Sequence, residues 1–259
     1  MAEQPHVEDR SGAPRPAHPD AGAWDGFYER HGDLAAASRR RGPAPQDCDG
    51  TATEVVATLE GVTGRPLAGR LAVEIGCGSG RMTARLARAF GRVVAVDVSE
   101  VALERCRQRL GDRTDVTLWH GGAELLAGLP SRSADWVVAV ATLQHVSRKE
   151  EVLSYVAESS RLLAAGGVAA LEFATASWRR RRRDAVVDLS RLLAQRGRLA
   201  AVHPELGLPA FDPHWRGARP GESELLSAAS GEGLTTRVCR GELQSWLVLE
   251  RLPAGARSR

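Results

Sequence analysis

V-E-I-G-C-G-S-G-R-M, Val73 to Met82, joins an apolar run to an amphipathic one through three alternate glycines. Glycine is used where a chain bends sharply or where something lies against the backbone. A tight strand-to-helix turn is one reading of this loop. Three alternate glycines exceed what such a turn needs, so a ligand is expected, facing the loop's N–H groups and the start of the next helix.

Outward from the loop, short apolar runs alternate with amphipathic ones. Residues 71–75, 93–96, 116–119, 136–140 and 168–173 are apolar and largely β-branched, as strands buried on both faces should be. Residues 81–90, 101–110 and 150–163 carry apolar side chains at three- and four-residue intervals and predict helices. This alternation predicts a parallel sheet with helices on both faces. Residues 223–230 read as a further helix, and the end, L-T-T-R-V-C-R-G-E-L-Q-S-W-L-V-L-E-R-L, reads as a hairpin.

Before the loop, residues 1–22 are rich in Pro, Ala, His and charge without apolar period and read as a disordered tail. W-D-G-F-Y-E-R-H spaces Trp24, Phe27 and Tyr28 as a helix does, and residues 53–59 form a second short helix. The division expected is a tail over 1–22, N-terminal helices over 23–66, and an α/β domain over 67–253 with an insertion at 177–220. Whether the aromatic face of the first helix covers a ligand or simply packs stays open.

A second mark supports a ligand. The second strand ends in Asp97, about twenty residues beyond the loop, where a carboxylate can accept both hydrogen bonds of a ribose diol. Dinucleotide loops read G-x-G-x-x-G; G-C-G-S-G is one residue tighter and suits an adenosine ligand without phosphates.

At these residues the sequence resembles the class I S-adenosylmethionine-dependent methyltransferases, whose first motif is matched by Glu74-Ile75-Gly76-Cys77-Gly78-Ser79-Gly80. The resemblance covers roughly residues 71–173. It implies a Rossmann-like seven-stranded sheet, mostly parallel with an antiparallel last strand, helices on both faces, and S-adenosylmethionine as cofactor. It places Gly76, Cys77, Gly78 and Gly80 against the methionine and ribose portions, Glu74 toward the ammonium end, Asp97 on the ribose hydroxyls and Val98 against adenine. In H-G-G-A-E, Gly122 stands where the family often has Asp, leaving Ala123 and Glu124 to replace that contact. A-T-L-Q-H-V, residues 141–146, resembles the L-x-H-[IV] stretch of small-molecule methyltransferases and brings Leu143 and His145 to the site. A-A-G-G-V matches the family's L-x-P-G-G step, with Ala165 in place of proline.

Methyl transfer to a hydroxyl requires alignment and removal of a proton, and His145 is the candidate base because imidazole titrates near neutral pH. Its other reading is a histidine that shapes the loop. His203, His214 and Trp215 read as lid or packing residues. Arg179 to Arg183 read as a solvated helix start or a docking surface for an anionic substrate. Nucleic acid is disfavoured, because aromatics do not interleave with that run and the fourth strand lacks an Asn/Asp-Pro-Pro-aromatic ending.

No metal is expected, since Asp135 stands at the beginning of the fourth strand and not at its end. The four cysteines, Cys48, Cys77, Cys106 and Cys239, form no C-x-x-C pair. Cys77 and Cys106 are not in a Pro-Cys setting, so base C5-methylation is disfavoured. Net charge is only +3, with Lys149 the sole lysine, which does not imply a polyanionic partner. Absence of a signal-like start or a ~20-residue apolar run predicts a cytoplasmic enzyme away from membranes. The expected activity is methylation of an oxygen or nitrogen on a small molecule, a specialised metabolite or sugar. An RNA or protein methyltransferase and a non-catalytic cofactor-binding protein are the alternatives.

Overall fold

The computed structural model describes residues 18–31, 48–174, 217–240, 244–253 and 255. The tail up to residue 17, Arg179 to Arg183, His203, His214 and Trp215 lie outside the described residues.

Seven strands form one sheet in the order β3-β2-β1-β4-β5-β7-β6. They are β1 (Gly69–Ile75), β2 (Phe90–Asp97), β3 (Val116–His120), β4 (Ala134–Ala139), β5 (Leu163–Ala174), β6 (Leu234–Arg240) and β7 (Gln244–Arg251). All pairs from β3 across to β5 are parallel, and β7 runs against both of its neighbours. The C-terminal strands therefore meet the expectation of a single reversed strand, and β6 runs in the direction of β1–β5.

The helices are α1 (Ala21–His31), α2 (Cys48–Thr63), α3 (Arg81–Ala89), α4 (Glu100–Leu110), α5 (Lys149–Leu162) and α6 (Glu222–Ala228). Strand alternation sends apolar side chains to both faces. Val73, Ile75, Val137, Ala139 and Leu171 pack with Val152, Tyr155 and Val156 of α5 and Leu225 of α6. Ala72, Val93, Trp136 and Val138 pack with Leu59 of α2, Leu86 of α3 and Leu103 of α4. The sheet is thus sealed on both sides, which is why its strands read as nearly continuous apolar runs.

Three boundaries differ from the sequence reading. α2 runs from residue 48 to 63 where a shorter helix over 53–59 was expected. β5 begins at Leu163, not at residue 168, so A-A-G-G lies inside a strand. That segment is irregular: pairing with β4 shifts register between Ala134 and Trp136, and Gly166 has a φ of +78°. At the N-terminus, residues 18–22 are described structure, with α1 starting at Ala21 and the His18 ring reaching Glu151 at 2.5 Å; the tail boundary at 22 falls too late. Among the described residues, no helix is long and apolar enough to cross a membrane.

Chain direction reverses its winding at β1, which lies between β2 and β4. The loops leaving β1 and β4 meet there at the carboxyl edge of the sheet, where Thr142 touches Gly76, the edge at which ligands bind in open α/β sheets.

Candidate functional site

The loop from Gly76 to Gly80 lies at that edge, between β1 and α3. Gly76, Gly78 and Gly80 all have left-handed backbone, with φ of 73°, 55° and 80°, a region that favours glycine. Each is also crowded by the protein itself. A Cβ on Gly76 would lie 2.8 Å from Thr142 Cβ and closer still to its Oγ1 and Cγ2. A Cβ on Gly78 would meet Tyr28 Oη at 2.5 Å, and one on Gly80 would meet Cys106 Sγ at 2.5 Å. The inference that three glycines exceed the needs of a turn is therefore corrected: protein neighbours and backbone conformation account for all three.

The loop N–H groups are also largely committed. Gly76 and Cys77 donate to the Val96 carbonyl at 2.8 and 3.1 Å, Gly80 donates to Cys77 O at 3.0 Å, and Gly78 donates to Asp97 Oδ2 at 2.8 Å. These bonds strap the loop to β2 and, through Gly80 and Cys77, to itself. The Ser79 hydroxyl is buried without a partner among the described residues.

Asp97 ends β2. Its Oδ1 accepts from the Ser99 N–H at 2.9 Å and its Oδ2 from Gly78. Burial raises its pKa, and the bonds from Ser99 and Gly78 oppose that. A carboxylate offers about four lone-pair sites, so acceptor capacity remains on Asp97 beyond its backbone donors, three residues before α4. Val98, next in the chain, is partly buried and its carbonyl contacts His120 Nε2 at 3.0 Å.

Glu74 is buried one residue before the end of β1, on the face of the sheet toward α3. Burial pushes its carboxyl up to about 8, although the Thr83 hydroxyl donates to it at 2.7 Å. A buried acid held near neutrality is poised to ionise when a cation arrives. Contact with the Cys106 thiol, together with burial, pushes the Cys77 thiol up, so neither geometry nor acidity makes Cys77 a nucleophile.

Gly122 precedes a 3-10 turn, Ala123–Gly128. A Cβ there would lie 2.7 Å from Glu151 Oε1 and 2.8 Å from Glu124 Oε2, while Glu124 Oε1 accepts from the Gly122 N–H at 2.9 Å. Two carboxyl groups thus fill the place where Gly122 lacks one. Glu151, at the start of α5, was missed by the sequence reading, because a residue near a helix N-terminus gives no local sign of what it faces. Ala123 is buried beside them.

The turn after β4 carries Leu143, Gln144 and His145 in a 3-10 turn, all buried. The Gln144 amide nitrogen lies 3.3 Å from His145 Nε2, and its oxygen is buried without a partner among the described residues. Trp24 of α1 packs edge-on against the His145 ring, centroids 5.4 Å apart. Further tethers hold α1 here: Asp25 Oδ1 accepts from the Ser99 hydroxyl at 2.6 Å, and Arg105 donates to the Tyr28 carbonyl at 3.0 Å. The aromatic face of α1 is packed directly on the glycine loop and on His145. The structure thus gathers Glu74, the loop, Asp97, Thr142 and α1 at one edge of the sheet, with Gly122 and Ala123 beside Glu124 and Glu151.

His18, Asp20 and Glu151 form a group of potential metal ligands among the described residues. Their atoms already satisfy one another and the backbone: His18 Nε2 meets Glu151 Oε1, His18 Nδ1 accepts from the Asp20 N–H, and Asp20 accepts from the Ser147 N–H.

A family model described as a methyltransferase domain matches residues 73–171, the span from the glycine loop's strand through β5. Residues 73–171 are thus similar to a methyltransferase domain. An uncharacterized methyltransferase of Mycobacterium tuberculosis strain H37Rv is 33% identical over 115 residues, 44% of this chain and 56% of the relative. The ubiquinone biosynthesis O-methyltransferase of Methylococcus capsulatus is 36% identical over 105 residues, 39% of this chain and 42% of the relative. The chain thus spans about half the length of the curated relatives it matches. Among solved structures, magnesium protoporphyrin IX methyltransferase from Synechocystis PCC 6803, with bound S-adenosylhomocysteine, has the same fold, with a TM-score of 0.54, 20% identity, and coverage of 90% of this chain and 95% of that one.

Proposed function

We propose that this chain transfers the methyl group of S-adenosylmethionine to an oxygen or nitrogen of a small molecule, a specialised metabolite or a sugar, in the cytoplasm. The observation that carries the reading is Asp97, a carboxylate at the end of β2 fixed by backbone donors beside the glycine loop. In this reading Asp97 binds the ribose diol, Val98 borders adenine, and Gly122, Ala123 and Leu143 line the base's other edge. Glu124 and Glu151 supply the carboxyl group that Gly122 lacks. Gly76, Cys77, Gly78 and Gly80 border the methionine portion, and Glu74 takes the ammonium, directly or through water.

The sulfonium supplies the methyl group and its leaving group when bound. The chain's own residues align the acceptor, exclude water and receive a proton. In this reading His145, on the turn that leaves β4 with its ring against Trp24 and near the Gln144 amide, takes the last role. α1 acts as the lid element over the glycine loop and His145, and the N–H groups of Gly217 and Ala218 donate to the carbonyls of Gln144 and Val146 beside that turn. The O-methyltransferase relative and the porphyrin-methylating fold neighbour favour a small acceptor.

The first test is calorimetry with S-adenosylhomocysteine in buffers of different ionisation enthalpy near pH 7. Glu74, held up at about 8, should release up to one proton when the ammonium binds. That release should vanish in Glu74→Gln. Failure of the wild type to bind would overturn the reading. Incubation with methyl-labelled S-adenosylmethionine and cell extract then tests the acceptor: label should enter a small organic fraction, and label confined to RNA or protein would refute the acceptor class. Once an acceptor is in hand, His145→Ala should lower turnover by on the order of a hundredfold with little change in cofactor affinity.

A further inference from the structure

β5 contains one residue that its own pattern forbids. Ala169, Leu171 and Phe173 join the core on one face, and Val168 and Ala170 join the core on the other. Glu172 occupies the next position on the second face with 1% of its surface exposed. A carboxyl group buried in a strand end costs stability unless it has a specific partner. Its Oε2 accepts from the Ala141 N–H at 2.7 Å.

Ala141 is itself an exception. With φ of 54° it is one of two non-glycine residues in left-handed backbone among those described, a conformation that an L side chain disfavours. It is also the hinge of the site turn. The following residue, Thr142, fills the space over Gly76 and donates to the Val140 carbonyl at 3.1 Å. Its carbonyl accepts from the His145 N–H at 2.9 Å and so closes the turn that presents His145. Every group on that turn takes its position from the bend at Ala141, and the bend is pinned from β5.

We infer that Glu172 is a positioning residue for the methyl-transfer site: by holding the Ala141 N–H it enforces the left-handed bend that seats Thr142 against the cofactor loop and His145 beside it. This rests on the methyltransferase reading. It adds a residue from β5, outside the loop, the ribose carboxylate and the histidine turn.

The test combines amide hydrogen exchange at Ala141, read by NMR, with S-adenosylhomocysteine affinity, both on the full chain without an acceptor. Glu172→Gln keeps an acceptor oxygen at the same reach and should leave exchange and affinity near wild type. Glu172→Leu should speed Ala141 exchange and weaken affinity by about tenfold, the scale of one buried hydrogen bond. Glu172→Asp keeps the carboxyl group but falls a methylene short, and should behave like Glu172→Leu; it stands in should the leucine variant not fold. Ala141→Gly relaxes the backbone requirement, so adding it to either variant should restore most of the lost affinity. Rescue at a backbone position is a readout that general loss of packing would not give.

Wild-type exchange and affinity in a folded Glu172→Leu or Glu172→Asp, no rescue by Ala141→Gly, or equal damage from Glu172→Gln would each overturn the inference. Failure of the wild-type chain to bind S-adenosylhomocysteine would instead overturn the methyltransferase reading, and this inference with it.

Discussion

Replacing Gly76 by alanine separates two reasons for a glycine: room for a ligand and room for the protein. Its backbone lies at φ of 73°, where a side chain costs roughly 1–2 kcal/mol. The new Cβ would also lie 2.8 Å from Thr142 Cβ and nearer to that residue's hydroxyl and methyl group. Relief requires moving a branched side chain whose Cβ is fixed to the turn at residues 141–146, an overpacking cost of about 1–3 kcal/mol. The ligand-free protein should thus lose about 2–5 kcal/mol in urea unfolding. Thr142→Gly removes all three crowding atoms. In that background the cost of Gly76→Ala should fall to its conformational share, giving a favourable coupling of about 1–3 kcal/mol across the double-mutant cycle. If only a ligand needed the space at this glycine, Gly76→Ala would cost the ligand-free protein no more than that backbone share of about 1–2 kcal/mol and show no coupling to Thr142. That result would refute the packing argument.

Glu74 sets a pH dependence of stability. Its unfolded carboxyl releases a proton near 4.5, whereas the folded one holds it until about 8. Between those values the folded state binds more protons, so stability falls as pH rises, at about 1.4 kcal/mol per pH unit from this group. Glu74→Gln lacks that slope and should gain stability relative to wild type as pH rises from 5 to 8 in denaturant titrations; parallel curves would sink the assignment. Asp97→Ala should weaken S-adenosylhomocysteine binding by roughly 1.5–3 kcal/mol, the scale for hydrogen bonds to a charged group, and an unchanged Kd by calorimetry would remove Asp97 from the ribose. Asp25 accepts from both the Ser99 hydroxyl and the Val101 N–H. Asp25→Ala should speed amide exchange throughout α1 and raise the association rate of S-adenosylhomocysteine in stopped-flow mixing, whereas an unaltered rate would mean that α1 does not gate entry.

The sheet and its helices were legible because strands buried on both faces leave apolar runs, and these stood out between helical periods. The irregular start of β5 was not, since A-A-G-G carries the chemistry of a turn and only pairing with β4 keeps it in the sheet. Asp97 was legible as the terminal carboxylate of a strand at the right distance from a glycine loop. Glu172 and Glu151 were not. Nothing near Glu172 says that its strand neighbour bends left-handed, and His18 reaches Glu151 across 133 residues. The glycines mark the limit most clearly, because spacing reports that no Cβ is tolerated but cannot tell a ligand from Tyr28, Thr142 or Cys106.

The placement of α1 has a thermodynamic consequence for the site. An 11-residue helix is marginal alone in water, so α1 persists where it is through its packing and its tethers: Asp25 to the start of α4, Arg105 to the Tyr28 carbonyl, Asp20 to the Ser147 N–H. Such bonds contribute about 1 kcal/mol each, which makes displacement of the helix costly by a few kcal/mol but far cheaper than unfolding the sheet. Tyr28 Oη stands over Gly78, on the face assigned to the methionine portion. A cofactor that takes that face must first move Tyr28, and its apparent affinity is reduced by the fraction of molecules in which α1 has yielded. Asp25 bonds to Ser99, whose own N–H is held by Asp97, so the carboxylate proposed for the ribose and the helix packed on the glycine loop share one hydrogen-bonded link. If the ribose binds Asp97 as proposed, its occupancy and the position of α1 would be coupled through Ser99, and the same contact that slows entry would hold the helix down on the bound cofactor.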